Sequence, residues 1–330
     1  LQNSITKITG AVMVLCSAAF YLSGSMDIMV CIGMMICSFI LYSSLEQAGS
    51  YNALLHTVDV SVDKAQTILD LDTMDIDGRQ VEPENHDIDV ENISFSYDER
   101  KIIDSISLHI PERSSLAIVG PSGGGKTTLC NLISRFWDVD EGSVKLGGID
   151  VREYSMDSLM KNFSFVFQNV YLFADTIANN IRFGRENASM DEVIEAAKKA
   201  CCHDFIMALP DGYDTVIGEG GATLSGGEKQ RISIARAVMK ASPVIILDEA
   251  TANVDPENEK ELTEAVEALT ADKTVIMIAH RLKTVRHADQ IVVIDKGRIV
   301  QQGRHEELMQ QDGIYRCFID TREKAVGWKL

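Results

Sequence analysis

Two apolar runs open the chain. Between Lys7 and Asp27 lies ITGAVMVLCSAAFYLSGSM, and between Asp27 and Glu46 lies IMVCIGMMICSFILYSSL, each about eighteen or nineteen residues without a formal charge. Runs of that length cross a bilayer as helices. A signal peptide has a basic start, one short apolar core and a cleavage site, and no second apolar span directly behind it. The pattern therefore predicts two membrane helices. The turn between them carries Asp27 and no base, while Lys7 precedes the first run and Lys64 follows the second, so the basic flanks favour both ends in the cytoplasm.

Beyond Glu46 the periodicity stays helical. Tyr51, Leu55, Val58, Val62, Ala65 and Leu69 recur at alternating steps of four and three, which makes one stripe. The second membrane helix thus runs on past the bilayer, as far as the acidic stretch LDTMDIDGRQVEPENH, whose Gly78 and Pro83 mark a linker. The expected organisation is a partial transmembrane domain over 1–72, a linker over 73–86 and a globular domain over 87–325. In that last part the pattern turns to short β-rich runs: IDVENISFSY, SISLHI, and SLAIVG leading into a glycine loop with the helical TTLCNLISRF behind it. PVIILD, KTVIMIA and QIVVID are continuous apolar runs of the kind buried in a parallel sheet. Residues 155–240 read as mostly helical, so an α/β core with an inserted helical subdomain follows.

Composition removes several readings. A net charge of −18 argues against a nucleic-acid partner, which needs a basic face. The seven cysteines form neither a CxxC pair of pairs nor a Cys/His set, so neither a zinc site nor a disulfide framework is expected. The chain begins at Leu1 rather than Met and is expected to be a processed or partial product.

GPSGGGKT, from Gly120 to Thr127, fits G-x-x-x-x-G-K-[ST] between an apolar strand and a helix. In that setting glycines permit the tight turn, and backbone N–H groups with the helix N-terminus hold phosphates. The loop residues are Gly120, Pro121, Ser122, Gly123, Gly124 and Gly125; Lys126 neutralises the outer phosphates, Thr127 ligates a Mg ion and Thr128 follows it. In VIILDEA four apolar residues carry a strand to Asp248, placed to hold the metal through water, with Glu249 next to polarise an attacking water. Alone, such an acidic pair reads as a surface turn; beside a phosphate loop it reads as chemistry. LSGGEKQR supplies Ser225, Gly226 and Gly227 at the start of a second helix, EKQRISIARAVM, and so a second anion site. One domain seldom needs two. The economical explanation is that the second serves a nucleotide held by another subunit, in head-to-tail sandwiching.

With these motifs in order, the chain resembles the C-terminal part of an exporter-type ABC half-transporter, whose signature motif is LSGGEKQR. The resemblance covers residues 87 to about 320, and the two membrane runs resemble the last two of the family's usual six spans. It implies a P-loop NTPase fold, an ABC-type ATPase domain with a helical subdomain behind a two-helix transmembrane segment, using ATP and Mg. By resemblance Tyr97 in FSYDE stacks on adenine, Gln168 in FVFQNVYLF reaches the metal and water, Asp255 in TANVD crosses to the partner, and His280 in IAHRL contacts the terminal phosphate. Taken singly, a Tyr at a strand end is packing and a lone His a satisfied polar residue; order and spacing change that. Two departures stand out. The chain reads Ala252, Asn253, Val254, Asp255 where the family commonly reads SALD, and Gly220 stands in IGEGG where a basic residue is common.

The resemblance implies ATP hydrolysis by Glu249, His280, Lys126 and Gln168, coupled to movement of a substrate across a membrane. The ATPase domain is expected in the cytoplasm, where ATP and reduced thiols are found. The expected partners are a second half-transporter subunit, membrane lipid and a transported substrate; cargo, direction, and homo- or heterodimer stay open. The alternatives are an ATP-gated regulatory protein and a soluble ABC-type ATPase that does not transport.

Overall fold

Helix formation begins at once, and a turn decides where the first helix ends. α1 spans Gln2–Leu22 and α2 spans Ile28–Leu69. The first apolar run does not stay helical to Met26: Ser23 and Ser25 bond to one another, Gly24 takes φ 73°, and Asp27 caps the next helix by accepting from the Ile28 N–H at 2.7 Å. Small residues seat the two helices against each other. The Cys31 thiol donates to the Ser17 carbonyl at 3.4 Å and the Ser38 hydroxyl to the Gly10 carbonyl at 3.3 Å. Among the described residues one helix, α2, is long and apolar enough to cross a membrane; the apolar part of α1, Lys7–Leu22, is shorter. The stripe from Tyr51 to Leu69 falls on the continuous α2, with its members exposed on this chain.

The computed structural model describes residues 2–71, 74, 77–248, 256–278 and 285–327. It divides into two units, Leu1–Thr73, formed by α1 and α2, and Met74–Leu330.

The second unit starts with the hairpin β1 (Ile88–Tyr97) and β2 (Arg100–Ile110), followed by β3 (Ser115–Val119), α3 (Lys126–Ile133), β4 (Glu141–Leu146) and β5 (Ile149–Asp150). Next come α4 (Met156–Met160), β6 (Phe163–Val166), α5 (Ile177–Arg182), α6 (Met190–Lys199), α7 (His203–Met207) and α8 (Gly226–Lys240). β7 (Val244–Asp248), α9 (Pro256–Thr270), β8 (Thr274–Ile278), β9 (Gln290–Asp295) and β10 (Arg298–Gly303) complete the strands. β2-β1-β4-β5 form an antiparallel sheet; β10-β9-β3-β8-β7-β6 form a second, parallel except for the β9/β10 pair.

The continuous apolar runs are buried on both faces of that second sheet. Alternation sends Leu116 and Ile118 of β3 into a core shared with α3 and the first sheet, and Ala117 and Val119 into a core shared with α5, α6 and α8. Three features of the sequence pattern differ here. β6 lies inside the segment expected to be helical, because its four residues gain their ladder from β7 rather than from local propensity. β2 begins at Arg100, five residues before SISLHI. α3 stops at Ile133 rather than Phe136, where Arg135 turns to φ 57° and its buried guanidinium bonds the carbonyls of Val151 and Tyr154, both at 3.3 Å.

Residues 78–83, in the stretch expected as linker, are strapped onto the segment before α4 and onto α4 itself. The Arg79 N–H donates to the Glu153 carbonyl and the Ser155 N–H to the Arg79 carbonyl, each at 2.8 Å, and the Val81 N–H donates to Ser158 Oγ at 3.1 Å. The chain passes Tyr154 so closely that a Cβ on Gly78 would lie 2.2 Å from that residue's backbone. Gly78→Ala is therefore expected to lift the strap, at a cost of about 1–3 kcal/mol. Faster tryptic cleavage after Arg79 is the expected readout, and an unchanged rate would show that the strap yields without detaching.

Candidate functional site

β3 delivers the chain to Gly120 through a close backbone approach. At φ 148° its carbonyl neighbour is so near that an added Cβ would sit 2.0 Å from the Ile294 oxygen. The Gly124 N–H then donates to the Pro121 carbonyl at 3.2 Å, and Gly125, left-handed at φ 105°, opens α3. Pro121, Ser122 and Gly123 face solvent. Lys126 folds back across the loop, its ammonium donating to the carbonyls of Gly120 at 3.1 Å and Pro121 at 2.8 Å. Thr127 is exposed and Thr128 packs beneath it. First-turn N–H groups have no acceptor inside their own helix, so the start of α3 and this loop make an anion cradle closed by a cation.

Parallel register brings the other motifs to the same sheet edge. Ile118 of β3 pairs with Ile278 of β8, and Ile278 with Asp248 of β7, while Val166 of β6 pairs with Leu247. Gly120, Asp248 and Gln168 consequently all leave the sheet at its carboxyl ends, where ligands of open α/β sheets bind. Asp248 is half-buried and its charge is felt on α3: burial first, and then the Asp248 carboxylate, push the Cys130 thiol far above its usual range.

Gln168 is exposed on the segment behind β6, and α8 holds that segment along its side. Gln230 of α8 donates to the Phe167 carbonyl at 3.3 Å. Arg236 donates to the carbonyls of Tyr171 and Asn180, both at 2.7 Å, and its guanidinium lies 5.4 Å from the Phe173 ring centre and 5.7 Å from that of Phe183. Burial lowers the Arg236 pKa to about 10, which leaves it charged at neutral pH. α8 itself begins at a capping box: Ser225 Oγ accepts from the Glu228 N–H at 3.3 Å, and Glu228 accepts from the Ser225 N–H at 2.7 Å. Gly226 is exposed, and a Cβ there would meet nothing within 4 Å.

Tyr97 ends β1, and its hairpin is fastened to the phosphate loop through the turn at Gly297. The Gly297 N–H donates to the Gly124 carbonyl at 3.1 Å, the Asp104 N–H donates to the Gly297 carbonyl at 2.9 Å, and Arg298 pairs with Asp104 at 2.8 Å. The structure thus brings Gly120–Thr128, Asp248 and Gln168 to one edge, puts Tyr97 on the hairpin tied to it, and leaves Ser225–Gly227 at the start of α8. Glu249, His280 and Asp255, with Ala252–Val254, lie outside the described residues. Trp137, Arg236 and Gly297 carry no motif in the sequence; tertiary contacts alone reveal them.

The cradle makes two predictions. Gly120→Ala should abolish nucleotide binding together with a loss of stability, because the new methyl meets backbone, and calorimetric titration beside thermal unfolding would show both. Cys130 should resist thiol reagents in the folded chain at pH 8 and react once it is unfolded, since the thiolate is the reactive form; native labelling located at Cys130 by peptide mass, apart from the exposed Cys16, Cys37 and Cys317, would refute the burial.

The comparisons with known proteins agree with this geometry. Residues 103–252 match the ABC transporter family model. The chain is 45% identical over 292 residues to an ATP-dependent lipid A-core flippase of Syntrophus aciditrophicus, covering 87% of this chain and 49% of the flippase. It is 38% identical over 328 residues to a putative multidrug export ATP-binding/permease protein of Bacillus subtilis, covering 95% of this chain and 55% of that protein. A solved bacterial Atm1-family ABC exporter with ATP bound superposes with a TM-score of 0.73 at 33% identity, over 96% of this chain and 56% of the exporter. The chain spans about half the length of the relatives it matches. With its phosphate loop, signature helix and acidic strand end in that family's order, the chain carries an ABC transporter ATPase domain and is similar to exporters of that family.

Proposed function

We propose that this chain is the C-terminal part of a transporter that hydrolyses ATP between two such ATPase domains and uses the closure and reopening of that pair to move a substrate across a membrane. The observation that carries the reading is the convergence of Gly120–Thr128, Asp248 and Gln168 at the carboxyl ends of β3, β7 and β6. The open space over Gly226 at the start of α8 supports it, since a second domain's nucleotide would fit there.

In this reading Tyr97 takes the adenine, the loop from Gly120 to Gly125 wraps the phosphates and Lys126 neutralises them. Glu249 orients or deprotonates the attacking water, and His280 and Gln168 steady the charge developing on the transferred phosphate. Ser225, Gly226 and Gly227 face the nucleotide of the partner domain, and Asp255 contacts that partner. The exposed Thr127 hydroxyl and the Asp248 carboxylate form the hard-oxygen donor set that suits Mg, with Gln168 beside them; Mg would neutralise phosphate charge there. α2, together with α1, is assigned to the membrane and the ATPase domain to the cytoplasm. The flippase and multidrug-export relatives make an amphiphile the first cargo to test.

The test uses Gly226→Ala beside Glu249→Gln. The alanine has room in a single chain and suits a helix, so folding and ATP binding by one domain should persist while hydrolysis falls by an order of magnitude or more. Glu249→Gln should bind ATP and trap a closed pair without turnover. Full hydrolysis in the Gly226 variant would exclude a nucleotide of the partner at the start of α8.

A further inference from the structure

The base end of the site is made of three rings, one of them supplied from beyond the phosphate helix. Phe95 and Tyr97 stand on the same face of β1, two residues apart. The Tyr97 ring is perpendicular to both neighbours: 4.8 Å and 88° from Phe95, 5.4 Å and 86° from Trp137. Phe95 is buried, Tyr97 half-buried, and Trp137 remains 48% exposed. Phe95 lies 6.1 Å from the indole at a tilt of 50°, so ring packing covers only part of it.

It is nevertheless held. Arg135, two residues before it, is only 2% exposed, and its Nε donates to Asp138, one residue after, at 2.9 Å. The same guanidinium bonds the carbonyls of Val151 and Tyr154. Trp137 therefore sits in a short bridge, clamped at both ends, that continues directly from α3. That helix cradles phosphate at its start and, through this bridge, sets an aromatic ring beside Tyr97 at its end.

We propose that Trp137 is a positioning residue for the nucleotide base: it fixes the plane of the Tyr97 ring, so that a purine meets a preset platform at a set distance from the phosphate loop. Edge-to-face pairing is directional, so removing one partner frees the tilt of the other. The proposal rests on the reading of Tyr97 as the base platform, and its test separates the two.

The chain carries two tryptophans, Trp137 and Trp328, so the experiments use the full chain in detergent with Trp328→Phe as background. Calorimetric titration measures ATP and inorganic tripolyphosphate, which shares the phosphates and lacks the base. Trp137→Ala should weaken ATP about five- to tenfold with tripolyphosphate unchanged, and Trp137→Phe should keep most of the ATP affinity. Adding Trp137→Ala to Tyr97→Ala should cost little more, because the indole acts through the tyrosine. Indole emission should change with ATP and not with tripolyphosphate.

If Tyr97→Ala removes the preference for ATP over tripolyphosphate and Trp137→Ala does not, the positioning role is wrong and the platform stands. If neither variant changes that preference, the platform reading fails and takes the inference with it. A parallel loss of both ligands in Trp137→Ala would reduce the indole to a packing residue and overturn the proposal.

Discussion

The register of the parallel strands is the constraint on which the site depends. Ile118, Ile278 and Asp248 lie in one line across β3, β8 and β7. A slip of one residue along β7 would move Asp248 off that line, and it would also exchange the two faces, sending Ile245 and Leu247 where Ile246 belongs. Both faces of this sheet are buried, so such a slip would disturb two cores at once. Packing thereby fixes the distance between phosphate cradle and acidic strand end. The spacing along that edge needs no separate device to hold it.

Around that rigid edge the remaining parts are attached at few points. The Gln168 segment is fastened to α8 by Gln230 at one end and Arg236 at the other, so it follows the helix that begins with Ser225 and Gly226. The Tyr97 hairpin is joined to the loop through one turn, at Gly297. Each attachment adds directional bonds to backbone carbonyls to the apolar packing beneath it, the hairpin over α3 and β3 and Leu172 against α8. Bonds of that kind fix the position of parts whose stability comes from the core.

Sequence alone suffices where the geometry is local. The phosphate loop is contiguous and its glycines answer to backbone geometry, so GPSGGGKT is legible without a fold, as is the signature at a helix start whose Ser and Glu also form the capping box. Asp248 is legible because a buried parallel strand is an unbroken apolar run that ends where it meets solvent. β6 is not, since FSFV is a strand only by virtue of β7 beside it. The end of α3 was equally hidden: LCNLISRF continues the helical pattern, and only the carbonyls of Val151 and Tyr154, distant in sequence, explain why Arg135 turns aside. Trp137 falls in the same class, because its meaning is its distance from Tyr97.

The strap at residues 78–83 connects these observations to the chain that arrives from α2. Gly78 lies against the Tyr154–Ser155 peptide, and the carbonyl of Tyr154 is one that Arg135 bonds. Arg135 in turn stands two residues beyond α3, whose first residue is Lys126. Where the chain enters the ATPase domain, Arg79 is thus bonded to Glu153 and Ser155 on either side of Tyr154, whose carbonyl Arg135 holds, with a single eight-residue helix, about 12 Å long, between Arg135 and the cradle. A linker that joined the domain at an arbitrary surface point would need neither the glycine nor the buried arginine. Their presence makes this junction a built part of the nucleotide-binding unit.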